Sequence, residues 1–525
     1  LTTDQIATLN TAQVNALSTT QVAALNTNQI GAIETTDLAA MSTAQVAVFN
    51  TAQTVALSTA QIGALNTADV RALNTANAAA LTTDQIVALN SNQVSALSST
   101  QFAAFTTAQI NAMETTDAAV ISSTQLAAFN TAQAAALTTD QIGVITTTAL
   151  RSLNTNDAAA LTTDQMVALN SNQIGALTTA QIGALSTKQV AVIETGDLAA
   201  LNTAAIRALT TAAVAALTTD QVVALNSAQI GALSTAQFSA FNTAQVNAIE
   251  TSDLAGMTTA QVAVLNTAQA QAMSTAQVAA LNTAHVRALN TADTAALTSD
   301  QIANMNSAQI GALSTAQIGV LNTNQAAAIE TSDLAGLNTA AVRAFTTAAA
   351  NALTTDQIAT LNTAQVNALS TTQVAALNTN QIGAIETTDV AALSTAQVAV
   401  LNTAQTVALN TNQIGALNTA SIRALNTTDT AALTTDQIVA LNSAQIGALS
   451  TAQVGVLNTN QASAIETSDL VGLNTASVRA FTTAAINALT TDQVAALNTA
   501  QVNALGTSQV AALNTNQIGA IETTD

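Results

Sequence analysis

The stretch from Asn10 to Ile33 reads NTAQVNAL STTQVAAL NTNQIGAI, three successive versions of one octad, [N/S/T]-T-x-Q-[I/V]-x-A-[L/I]. The same pattern runs from residue 2 to residue 521 as 65 octads with no insertion or deletion. Regularity of this kind is the mark of a stacked repeat in which each unit touches only near neighbours.

The period itself limits the conformation. On one continuous α-helix, at about 100° per residue, eight residues would carry the apolar stripe about 80° past two full turns, so no seam could persist. On one continuous strand, Ile6, Leu9 and Val14 are separated by odd numbers of residues, which sends successive large side chains to opposite faces. The chain must therefore bend once per octad. Capping chemistry places the bend: Asn10, Ser18 and Asn26 are good N-caps and each is followed three residues later by Gln, the spacing of a capping box. The pattern predicts an all-α fold, a solenoid of very short capped helices with one helix per octad. The alternative is a β-solenoid, supported by Thr, Val, Ile and by glycines such as Gly31, which weaken a helix interior.

A single octad buries two large aliphatic side chains, about 1.5–3 kcal/mol each, against about 1.5 kcal/mol for every residue it orders. Stacking is thus obligatory. The alanine at the seventh place, as in Ala16, Ala24 and Ala32, predicts a close backbone approach to a neighbouring coil.

A longer period groups the octads. TTDQ or a variant opens modules near residues 2, 82, 162, 218, 298, 354, 434 and 490, and an acidic octad such as IETTD (33–37) follows four octads later. Arg71, Arg151, Arg207, Arg287, Arg343, Arg423 and Arg479 mark the octad two before each next module, so modules are 80 or 56 residues long and differ by three octads. An insertion tolerated repeatedly in a stack should be one whole coil, about three octads or 24 to 27 residues; a coil of about 3.4 octads also fits, seven and ten octads then being two and three turns. Residues 1–37 and 353–389 are identical, so the modules look like duplications of one another. The pattern predicts a single continuous solenoid over 1–525, cut from a longer chain or filament because it starts and stops in mid-repeat.

Composition narrows the function. A net charge of −21 with only 8 Lys and Arg disfavours nucleic acid and anionic membrane surfaces. No apolar run approaches the roughly 18 residues of a membrane span. Cys is absent, which removes disulfides and thiolate metal sites. His285 is the single histidine, and neither a catalytic triad nor a phosphate-binding loop occurs, so no enzyme is expected.

Two charged motifs remain. The acidic pairs are Glu34/Asp37, Glu114/Asp117, Glu194/Asp197, Glu250/Asp253, Glu330/Asp333, Glu386/Asp389, Glu466/Asp469 and Glu522/Asp525. Spaced three apart, they would share a helical face. Oxygen-only ligands would favour calcium, although two carboxylates are few for such a site; contacts between filament units or plain solvation are the other readings, and no cofactor is otherwise expected. The seven arginines occupy the variable sixth place and should point outward, as assembly contacts or as solvated charges. The threonines of the second place, such as Thr3, Thr11 and Thr19, would suit an ice-binding ladder if the solenoid were built of strands.

Segments such as LTTDQIVALN, LSTAQIGALN and LNTAQVAVL resemble the octapeptide arrays of very large secreted bacterial surface proteins labelled as haem-utilisation or adhesion proteins. That resemblance implies an exported fibrous or adhesive protein at the cell surface or outside it. With one histidine, the haem part of the label gains no support here. The expectation is a non-enzymatic structural fibre that self-assembles through its outer polar and charged residues, with an adhesin stalk, an ice-binding array and a calcium-stabilised surface repeat as alternatives.

Overall fold

The computed structural model describes residues 1–521, and each octad of this span carries one helical element: 64 α-helices of four to six residues and one 3-10 turn, Leu254–Gly256. Among the described residues there is no strand, so the β-solenoid alternative, and the flat strand-borne threonine array that depended on it, find no support.

The local cause is the expected capping box. In the helix Thr11–Asn15, the Asn10 side chain accepts from Gln13 N–H at 3.1 Å, and Gln13 Oε1 accepts from Asn10 N–H at 3.0 Å. Both groups at the helix start are thereby satisfied. The helix stops because the eighth residue leaves the helical region: Leu57 has φ −66° and ψ 134°, and Ser58, the next cap, has φ −70° and ψ 160°. Two extended residues per octad make the bend, and among the described residues none has a positive φ.

The structure divides into two compact units, Leu1–Val264 and Leu265 onward, built by the same rules. Within each, the fifth-place Ile or Val and the eighth-place Leu fill the interior; Ile62 is 0% and Leu65 3% exposed. Phenylalanines occur at these same places, and Phe102 lies 5.2 Å from Phe105 and 6.0 Å from Phe129 between ring centroids. No helix among the described residues is long and apolar enough to cross a membrane.

Coil size follows from what touches what. Within each unit, each helix packs on the helix three octads along, as Thr27–Gly31 does on Thr51–Ala56. Side-chain hydrogen bonds reach one octad further: Gln45 Nε2 donates to Val14 O at 3.0 Å and Leu17 O at 2.8 Å, 31 and 28 residues back. One coil therefore holds about three octads, as expected, and each Gln bond crosses the corner to the end of the octad before the stacked one.

Small residues at the sixth place have the same origin. An added Cβ on Gly31 would lie 3.3 Å from Ala56 O, the seventh-place carbonyl of the octad stacked on it. This is the close backbone approach that the seventh-place alanines announced. It also explains a glycine in a last helical turn, where the loss of helix propensity is offset by room for the neighbouring coil.

Candidate functional site

The position-four glutamine does more than cap. Its Oε1 closes the box on its own helix, while its Nε2 supplies donors to the orphan carbonyls ending a helix in the preceding coil. Gln93 Nε2 meets Ile62 O at 2.8 Å and Leu65 O at 2.7 Å in the first unit; Gln301 Nε2 meets Ala270 O at 3.0 Å and Met273 O at 2.6 Å in the second. Gln93 and Gln301 are each 2% exposed, so the bonds are made out of water, where leaving either partner unpaired is expensive. Sequence reasoning found only half of this role. The missed signal was that Glu never occupies the fourth place, although a capping box accepts Glu and Gln alike. Glutamate can accept but cannot clamp a carbonyl.

In each of the seven complete modules, three octads lack this glutamine: the acidic octad, the arginine octad and the octad after it. The acidic pairs and the arginines all fall on these gaps in the clamp.

In the acidic octads the two carboxylates part company. Glu34, Glu114, Glu194, Glu330, Glu386 and Glu466 are exposed caps that make no side-chain cap bond, and Glu250 is likewise exposed. The partner Asp takes the inward fourth place: Asp37, Asp117, Asp197, Asp389 and Asp469 are buried, Asp253 and Asp333 half-buried. The expectation of one shared face is thus corrected, because a cap residue precedes the helix and its side chain does not follow the helical stripe. Glu522 and Asp525 lie outside the described residues.

A hydroxyl three octads earlier donates to four of these buried aspartates. Thr11 Oγ1 donates to Asp37 at 2.6 Å, Ser91 Oγ to Asp117 at 2.6 Å, Ser171 Oγ to Asp197 at 2.6 Å and Thr363 Oγ1 to Asp389 at 2.5 Å. This pairing too was legible: Asn-Ser occurs five times in the chain, at 90, 170, 226, 306 and 442, always three octads before an acidic octad. Where the serine is Ser227, Ser307 or Ser443, the acidic octad carries a seventh-place glycine, Gly256, Gly336 or Gly472. There the backbones almost touch: a Cβ on Gly231 would fall 2.3 Å from Gly256 O. Burial pushes the carboxyls of Asp117, Asp253, Asp333 and Asp469 above the usual range, with the neighbouring Glu adding to it and hydrogen bonds from the serine opposing it. Among the described residues no three His, Cys, Asp or Glu come together in a metal-binding group.

The arginines are exposed as expected. Arg207 Nε donates to Ala232 O at 3.2 Å and Arg343 Nε to Ala368 O at 3.2 Å, so these two cover seventh-place carbonyls one coil on. His285 fills the fourth place of its octad, 3% exposed, with Asn282 Oδ1 accepting its backbone N–H at 2.9 Å.

A second set of buried acids was not singled out from sequence. Asp69, in an arginine octad, and Asp157, Asp293 and Asp429, in octads that follow one, are 0–2% exposed. The cap asparagine donates Nδ2 to each: Asn66 to Asp69 at 2.5 Å, Asn154 to Asp157 at 2.6 Å, Asn290 to Asp293 at 2.6 Å and Asn426 to Asp429 at 2.5 Å. Burial raises all four carboxyls, against these bonds, and brings Asp69 and Asp293 to about 6.

No curated protein matches the chain. A family model described as the ALTTAQ repeat matches it in 17 segments, from 1–32 and 30–67 through to 462–499 and 495–523, with only 148–165, 308–325 and the last two residues unmatched. An octad array with a clamp at the same place in both units, matched by one repeat family over nearly all its length, means that the chain belongs to the ALTTAQ-repeat family.

Proposed function

We propose that the chain is a non-enzymatic structural protein: a stacked octad scaffold that assembles with its own kind into fibres at the cell surface or outside the cell. The observation carrying this reading is the position-four clamp, one amide repeated coil after coil, which favours indefinite stacking over a single reaction centre. The outward arginines and cap glutamates recur at module intervals and suit contacts between copies. The outside location rests on the resemblance to secreted octapeptide arrays. Negative-stain electron microscopy of the purified chain at rising concentration tests the proposal. Filaments of constant width are expected, and a uniform population of single particles at all concentrations would overturn it.

A further inference from the structure

The last octad of every 80-residue module has a carboxyl or carboxamide at the fourth place, Asn77, Asp157, Asp293 or Asp429, whereas the last octad of every complete 56-residue module has Ala213, Ala349 or Ala485. The two kinds of module differ by the inserted three octads, and it is onto the first of these that Asn77 reaches: its Nδ2 donates to Phe49 O at 2.7 Å, 28 residues back. A side chain one methylene shorter than Gln thus still meets the eighth-place carbonyl. At equivalent places three modules put an aspartate, and an ionised carboxylate facing a carbonyl has nothing to donate.

No cation compensates these acids. The helices packed on them from three octads before and after carry no charged residue: Thr131–Ala136 and Thr179–Ala184 around Asp157, Thr267–Ala272 and Thr315–Ile318 around Asp293, Thr403–Ala408 and Thr451–Val454 around Asp429. Arg151, Arg287 and Arg423 of the preceding octads are exposed, as is Lys188, four octads after Asp157. Thr403 Oγ1, the one further polar contact, donates to Asp429 at 3.0 Å.

We infer that Asp157, Asp293 and Asp429 form an acid-operated clamp: each, as a neutral acid, donates its proton to the eighth-place carbonyl of the inserted octad, at Phe129, Leu265 and Leu401, and releases it on ionisation. The direction of their titration agrees, since burial holds all three above the ordinary carboxyl range and Asp293 at about 6. A carboxyl raised on folding makes the native state bind more protons than the unfolded one, so stability is greatest below the unfolded value and falls as pH rises through the folded value. The last octads of these three long modules would tighten in acid and loosen toward neutral pH; the last octads of the short modules, with Ala at that place, would not.

The test compares the full chain with D157N/D293N/D429N and with D157A/D293A/D429A. Infrared difference spectra of wild type minus the Asn variant should show protonated carboxyl absorption persisting at pH 5.5 and lost by pH 7. The fall in melting temperature of the wild type between pH 4.5 and 7 should be reduced in the Asn variant, whose amides donate at every pH as Asn77 does. The Ala variant should melt below the Asn variant throughout. Absence of a protonated band at pH 5.5, or an Asn variant whose melting profile parallels the wild type, would overturn the inference; so would Asn and Ala variants of equal stability.

Discussion

Octads Asn66–Leu73 and Asn90–Leu97 share an asparagine cap, a fifth-place valine and an eighth-place leucine, yet they hold their neighbours differently. Gln93 reaches back to two carbonyls of the previous coil. Asp69, at the same place in its own octad, keeps one buried oxygen without a hydrogen-bond partner and supplies no donor. The lesson is that a helix of six residues is too short to be stable by itself, so cohesion depends on what passes between coils. One amide per octad supplies much of it, and the acidic and arginine octads are among those where it is withheld.

The strongest way to break the difference is to turn a clamped octad into an unclamped one while leaving its helix capped. Gln93→Glu keeps an acceptor for the Asn90 N–H but replaces the donor to Ile62 O and Leu65 O by a buried charge. The expected loss is on the order of 3 kcal/mol or more near neutral pH, combining unpaired carbonyls with an uncompensated ion. Urea denaturation gives the total, and hydrogen exchange should locate the opening around residues 58–97. A loss below about 0.5 kcal/mol would mean that the box alone matters and the clamp does not.

This distinction marks the limit of what the sequence disclosed. The octad, the all-α fold and the capping boxes followed from Asn10, Gln13 and the drift of an eight-residue stripe, because those are local rules written into each repeat. The outward arginines were legible for the same reason. Coil size was legible only through the three-octad difference between modules, which admitted a wider coil as well; packing between helices three octads apart decides it. The acids were misplaced because Glu34 and Asp37 look alike in sequence, while one sits before the helix in solvent and the other faces the interior at 5% exposure. Pairs such as Ser91 with Asp117 become visible only when octads are compared three apart.

Where a clamped octad meets a glycine-bearing acidic octad the contrast is sharper. Gly231 faces Gly256 O so closely that a Cβ would sit 2.3 Å away, against nothing within 4 Å for Gly196 in another acidic octad. Backbone cannot retreat as a flexible side chain can. Gly231→Ala should therefore cost about 1–3 kcal/mol by overpacking, while Gly196→Ala should stabilise by up to about 1 kcal/mol through helix propensity. Thermal melts of the two variants check the signs. Equal effects would mean that the glycine pair is incidental to the approach of the coils.

The smallest effect is expected from the reverse exchange, restoring a clamp where it is missing. Ala205 occupies the fourth place of an arginine octad, 1% exposed, capped by Asn202, and Gln from this place would reach back toward Ile174 O and Leu177 O. Two new hydrogen bonds at about 0.5–1.5 kcal/mol each are opposed by about 1.5–2 kcal/mol of glutamine side-chain entropy, so Ala205→Gln should stabilise by no more than about 1 kcal/mol. The sign of the change in urea midpoint carries the information. A gain would mean that the coils keep glutamine spacing even where the residue is absent, and that the gap in the clamp is an omission the fold tolerates. A loss would mean that the coils have closed around alanine, and that the unclamped octads are a distinct packing on which the charged positions depend.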